Sequence, residues 1–309
     1  VGMSTYAVSM CLSSISTIKK KKKTFDFDII DAHYIYPDGL AGVLLGKIFN
    51  KPVVVSARGS DISLYANLPI IRNLIRYTLK KADSIISVSE DLAEKMIELG
   101  IPEDKVNIIP NGINTTHFYQ TDKKQARQKL KLPEDQKIII SIGELIPRKN
   151  FKILIDALKF LNQNEHLYII GKGKLKEELN NYINKNKLQN RVHLVGAVAH
   201  TELITWYNAA DLFCLASLRE GSPNVVYEAL GCGLPVVGTD LVGIKTALAG
   251  GNKGLYVEKW DGENFSKAIN KVLTSSDYNS QWIAQEAQKR PWDVVAKEVE
   301  NLFQRWRAR

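Results

Sequence analysis

Short apolar runs alternate with helix-length amphipathic segments along almost the whole chain. A short buried run followed by a longer amphipathic one reads as a strand and a crossover helix, so the repeat specifies α/β units built on parallel sheets. In the first part, strands are expected over 29–32, 53–57, 84–88 and 106–109, with helices over 40–49, 68–82 and 91–99. A second series begins at Lys137, with strands over 138–142, 167–170, 192–194, 212–215, 235–237 and 254–257. Between them, Pro110-Asn111-Gly112-Ile113-Asn114 is a turn cluster followed by a polar stretch, which suits a hinge. The expected organisation is two Rossmann-like domains, 1–120 and 121–291, with ligand loops at the carboxyl ends of their strands and a last helix over 292–309.

The bulk numbers permit this. At 309 residues, 45% hydrophobic and 24% charged, the chain can bury two cores. A net charge of +9 points to an anionic partner: nucleic acid, an acidic membrane surface or a phosphate-bearing substrate. No interleaving of aromatic and basic residues supports nucleic acid, which is therefore set aside. Cys11, Cys214 and Cys232 are widely separated, which leaves no disulfide framework and no Cys-x2-Cys metal pattern and fits a reducing compartment. No apolar run is long enough to span a bilayer, and 1–18 is polar and lacks a signal-peptide cleavage pattern. A cytoplasmic location is expected, peripheral on the inner membrane face if a basic surface touches anionic lipid.

Two features bear on that surface. The Lys19 to Lys23 run reads as a solvated tail that could touch anionic lipid. On the 68–82 segment, Arg72, Arg76 and Lys80 form a stripe beside an apolar face of Ile71, Leu74, Ile75, Thr78 and Leu79. That pattern fits an interfacial helix, but the sheet-covering reading is favoured because every Rossmann helix must bury such a face.

The most specific string is Arg219 to Gly233, Arg-Glu-Gly-Ser-Pro-Asn-Val-Val-Tyr-Glu-Ala-Leu-Gly-Cys-Gly. Ser222 is a good N-cap and Pro223 suits the first helical position, so a helix is expected from Pro223. Its free N–H groups, in the frame of Gly221, Ser222, Pro223, Asn224 and Val225, make a chemically sensible seat for a pyrophosphate. Glu220 lies on the turn. Glu228, well inside the helix, is misplaced for a phosphate but suited to accept hydrogen bonds from vicinal hydroxyls such as those of a ribose.

This Glu-x7-Glu arrangement, in its full setting through Pro235-Val236-Val237, strongly resembles the retaining glycosyltransferases of the large GT-B group 1 family, which includes sucrose synthase and bacterial polysaccharide and teichuronic-acid transferases. The resemblance implies a GT-B fold of two facing Rossmann-like domains, with the last helix crossing back onto the first. It further implies a nucleoside-diphosphate sugar as donor, a glycan or lipid-linked acceptor, retention of configuration and no cofactor. Glu220 would then lie near the donor sugar and its anomeric carbon, and Glu228 on the ribose. Lys149 would lie on the diphosphate. Gly143 and Gly171 belong to neighbouring strand-end loops of the donor site, and Val198 to the loop that packs on the nucleobase. His200, next in that loop, reads as a surface residue at a helix start.

The chain departs from the family in places. Glu144 stands where an arginine is common, so Arg148 is the candidate second cation on the diphosphate. Arg58-Gly59 replaces a frequent histidine-glycine; an arginine cannot act as a base, so Arg58 is assigned to phosphate, with Asp61 orienting it and Asp38 and Asp61 on the acceptor side. Only 25 residues precede Asp26, fewer than the family's opening βα units need, so the first domain is expected to be incomplete. Asp26-Phe27-Asp28 mimics a metal-binding Asp-x-Asp but precedes a strand, at the end away from the ligand loops, and no metal is expected. Two other readings keep the architecture: a nucleotide-sugar epimerase, which would need an acid/base set around the sugar ring, and a nucleotide-binding, non-catalytic remnant.

Overall fold

The computed structural model describes residues 2–307, with side chains over 5–306. Val1, and Ala308 and Arg309 at the end of the expected last helix, lie outside the described residues. The first sheet holds β1 (Ile30–His33), β2 (Val53–Ala57), β3 (Ser84–Ser87) and β4 (Val106–Ile108), all parallel and in that order. The second holds β5 (Lys137–Ile142), β6 (Glu165–Ile170), β7 (Val192–Gly196), β8 (Leu212–Leu215), β9 (Val236–Thr239) and β10 (Gly254–Val257). Its order is β10-β9-β8-β5-β6-β7, again all parallel. The order reverses beside β5, which makes the loops after β5 and β8 the natural walls of a ligand crevice. Two parallel-sheet α/β units of this kind are what the resemblance to the GT-B family implies.

The chain divides into one unit of Val1–Asn111 with Asp293–Arg309 and another of Gly112–Trp292. The change-over therefore falls inside the turn cluster and earlier than the expected residue 120. The cause is packing: Ile113 and Phe118 are buried in the second unit's core with Phe213 and Leu230. Ile113 also donates its N–H to Arg290 O (3.1 Å) and accepts from Trp292 N (3.1 Å).

In the first unit the strand period sorts side chains onto two faces. Val53, Val55 and Ile85 pack with Leu40, Val43, Ile75 and Leu79. Val54, Ile86 and Ile109 lie on the other face under Val295, Val299, Leu302 and Phe303 of the Trp292–Arg307 helix. The Pro69–Lys81 helix buries Ile71, Ile75, Thr78 and Leu79, which is the sheet-covering use of its apolar face, and leaves Arg72 and Lys80 exposed. Residues Gly2–Lys22 form a helix that the sequence reading did not expect. Cys11, Ile15 and Ile18 pack it on Ala41 and Leu45, and its last turn carries Lys19 to Lys22, favourable at the negative end of a helix dipole.

The second unit repeats the pattern with larger cores. Along β5, Ile138, Ile140 and Ile142 face one layer and Ile139 the other. Cys214 and Cys232 are buried, and burial pushes both thiols well above their ordinary range, which keeps them unreactive. Among the described residues, no helix is long and apolar enough to cross a membrane.

Candidate functional site

The loop after β5 and the turn after β8 meet at one carboxylate. Glu220 Oε1 receives Lys149 Nζ at 2.7 Å, and Glu220 Oε2 lies 3.3 Å from Arg148 Nη1. Lys149 and Glu220 side chains are only 11% and 10% exposed, so this pair is held with little water to screen it. Backbone contacts set its position: Leu218 N donates to Arg148 O at 2.8 Å, and Arg148 Nη1 donates to Arg219 O at 3.0 Å. Gly143 leaves room for the lysine stem, since a Cβ there would lie 3.0 Å from Lys149 Cε.

The helix beyond the turn runs Asn224–Gly231 and begins one residue later than expected. Pro223 is its N-cap, with an extended ψ of 103°, and its ring supplies no side-chain cap. Ser222 Oγ lies 3.5 Å from Tyr227 Oη. Gly221 is pinned by close backbone approach, because a Cβ on Gly243 would stand 2.0 Å from Gly221 O. Asn224 is exposed and Val225 half-buried against the core.

Three strand-end loops are joined through the main chain. Gly143 N donates to Ile170 O (3.0 Å), Leu145 N to Lys172 O (2.9 Å) and Gly171 N to Gly196 O (2.7 Å). Gly171 has φ +150°, and a Cβ there would lie 1.9 Å from Gly143 O, so both conformation and space require glycine. The Gly171-Lys172-Gly173 turn thus serves close packing between loops. Beside it opens a cavity of about 480 Å³ with apolar walls from Ile142, Ile170, Val198 and Leu203, and with Glu144 and Lys172 also lining it. A planar, largely apolar group such as a nucleobase fits a slot of this kind.

Glu228 is 8% exposed and both its oxygens are engaged. Tyr207 Oη donates to Oε2 at 2.8 Å, and His200 Nε2 lies 3.1 Å from Oε1. Burial, reinforced by the Glu228 charge, raises the Tyr207 phenol well above its ordinary range, so it stays a donor. The sequence reading missed both partners. Their signal is faint: they lie 28 and 21 residues from Glu228, on elements that only the sheet topology brings together.

In the first unit, two expectations need correction. Asp61 is fully buried and binds main chain: its carboxylate accepts N–H from Ile35 (2.9 Å), Gly59 (2.8 Å) and Arg58 (3.2 Å). It neither orients the Arg58 guanidinium nor is accessible to an acceptor; it shapes the turn. The guanidinium instead rests on His33, with Nε donating to Nδ1 at 3.1 Å, and on Asn111 Oδ1 at 3.4 Å. Because Nδ1 accepts, the His33 proton belongs on Nε2, which faces Asp31 Oδ2 at 3.0 Å. His33 therefore has no spare lone pair for base chemistry. Asp38 is half-buried in the Ile35–Gly39 turn after β1. Asp26 forms ion pairs with Lys51 (3.5 Å) and Lys22 (3.9 Å).

The profile described as Glycosyl transferases group 1 matches residues 122–289, more than half of the chain. The chain belongs to that family. A second profile, Glycosyltransferase Family 4, matches residues 4–117. An uncharacterized glycosyltransferase, MJ1178, of Methanocaldococcus jannaschii is 27% identical over 250 residues, which are 81% of this chain and 66% of that protein. The amylovoran biosynthesis glycosyltransferase AmsK of Erwinia amylovora is 29% identical over 237 residues, 74% of this chain and 56% of that protein. The chain thus spans two thirds or less of the length of these relatives. Among solved structures, Anabaena Alr3699/HepE in complex with UDP aligns with a TM-score of 0.81 at 20% identity, covering 96% of this chain and 81% of that one.

Proposed function

We propose that this protein is a retaining glycosyltransferase that moves a sugar from a nucleoside diphosphate to a glycan or lipid-linked acceptor in surface-polysaccharide synthesis. The observation that carries this reading is the meeting of Lys149 and Arg148 with Glu220 in the same unit as the main-chain slot and the Glu228 helix. The base would occupy the slot, the ribose would bond Glu228, and the diphosphate would take Lys149 and Arg148 as its charge partners. Glu220, released from the cations, would turn toward the sugar.

In the reaction, the bond from the anomeric carbon to the diphosphate oxygen breaks and one to the acceptor oxygen forms on the same face of the ring. The acceptor proton passes to the leaving diphosphate. Lys149 and Arg148 offset charge as it builds on that diphosphate, without a metal, and Glu220 holds the sugar against rotation. Arg58, fixed by His33 and Asn111, supplies a further cation for a phosphate of donor or acceptor. HepE, solved with UDP, supports a nucleotide donor for this fold.

The test is incubation with a panel of nucleoside-diphosphate sugars and lipid-linked glycan acceptors, with the anomeric configuration of the product read by NMR. An axial-to-axial outcome, undiminished by a chelator, is expected. A product of inverted configuration, or activity abolished by chelation and restored by a divalent ion, would overturn the retaining, metal-free reading.

A further inference from the structure

We infer that His200 is a gate on the ribose subsite: its imidazole holds the Glu228 oxygen at which the ribose hydroxyls arrive, and it must leave for the nucleotide to seat. The inference rests on the reading of Glu228 as the ribose acceptor and adds a competitor to it.

The two partners of Glu228 differ in their freedom to move. Tyr207 is 1% exposed, and its hydroxyl fixes Oε2 from inside the core. The His200 side chain is 64% exposed, and it covers Oε1. Losing the Tyr207 bond would strand a buried phenol, whereas His200 can exchange its bond for one to water. An incoming pair of hydroxyls therefore displaces His200 and leaves Tyr207 in place. Position supports the same assignment, because His200 follows Val198 by two residues, so the loop whose Val198 lines the slot also carries the imidazole that holds Glu228.

His200 also has a seat of its own. Its ring stacks on His117 with centroids 5.8 Å apart and meets Phe118 edge-on at 5.2 Å. His117 Nε2 lies 3.3 Å from His200 O, so the loop stays anchored when the imidazole swings. A gate of this kind reduces apparent affinity by the fraction of molecules in which it is closed, and only for ligands that need Oε1.

The experiment compares UDP with 2′,3′-dideoxy-UDP by calorimetry, with GDP and ADP and their dideoxy forms run alongside. His200→Phe keeps the ring packing but cannot bond Glu228, and His200→Ala removes both. Both variants are expected to tighten the ribonucleotide about five-fold and leave the dideoxy form unchanged, the result of removing a mostly closed state. Weaker or unchanged ribonucleotide binding in His200→Phe overturns the gate, and equal loss for both nucleotides would assign His200 to holding the loop. Glu228→Gln is the control for the underlying reading. If it leaves the ratio of ribo to dideoxy affinity unaltered, Glu228 is not the ribose acceptor and that reading falls instead.

Discussion

Lys149 Nζ and Glu220 Oε1 lie 2.7 Å apart although 71 residues separate them, and each is the other's nearest compensation for burial. A nucleoside diphosphate must therefore exchange with a carboxylate already in place. Lys149→Ala is expected to weaken UDP binding by about 1.5–3 kcal/mol, the range for a charge-assisted hydrogen bond. It should also lower stability, because Glu220 is left with only the more exposed Arg148. A double-mutant cycle with Glu220→Gln, read by urea unfolding, should return a coupling energy of at least ~1 kcal/mol, and additive losses would show that the contact carries no energy.

Glu144 brings a negative charge to the slot beside Gly143. Repulsion between this carboxylate and a bound diphosphate predicts that Glu144→Arg tightens UDP binding, by roughly ten-fold at low salt and less as salt is raised. Titrations at two ionic strengths check both the sign and its screening. Unchanged affinity at low salt would place the diphosphate away from this loop.

Asp61 and His33 both serve Arg58, but through different atoms. Asp61→Ala strips the turn of its fully buried acceptor for three backbone N–H groups, with an expected loss of about 3 kcal/mol or more in the first unit. His33→Ala removes only an exposed partner of the guanidinium, and stability should stay within ~0.5 kcal/mol while transfer slows. Chemical denaturation beside turnover assays separates the two, and equal destabilisation would refute the division of labour.

The His166 and His193 rings face each other across β6 and β7, with Nδ1 and Nε2 3.4 Å apart. Burial holds both below the ordinary value of 6.5, with Arg191 adding to the effect at His166 and His166 adding to it at His193. The unfolded chain therefore binds more protons than the folded one below about pH 6.5, so this contribution is present above that pH and is lost as pH falls. Urea midpoints should drop between pH 7 and 5, and His193→Gln should flatten the slope. An unchanged slope would show that the pair is uncoupled from folding.

The sequence revealed what depends on local order. Each of the ten strands among the described residues overlaps an expected apolar run, and the central ones, such as Ile138-Ile139-Ile140, are legible because they are buried on both faces. The Gly2–Lys22 helix escaped notice because its inner face is a thin stripe of Ala7, Cys11, Ile15 and Ile18 among serines and threonines. At the candidate site, the motifs singled out Lys149 and Glu220, which the fold brings together, whereas the grip of Tyr207 and His200 on Glu228 could not be read. Those contacts exist only after distant strands pair. Asp61 was misjudged because a carboxylate near an arginine suggests an ion pair in one dimension, while backbone N–H groups, invisible in a string of letters, claimed it first.

The second unit is one continuous segment, Gly112–Trp292, whose ends are bridged at Ile113 and Pro291, whereas the first unit is written in two pieces. On the ribosome this sets an order. The face of the first sheet that carries Val54, Ile86 and Ile109 must wait for Val295 and Leu302, which emerge only after the whole second unit has been made. Through that interval the nascent chain carries a finished domain behind an uncovered apolar sheet, and the stretch of synthesis most exposed to misassociation closes when Val295 and Leu302 arrive.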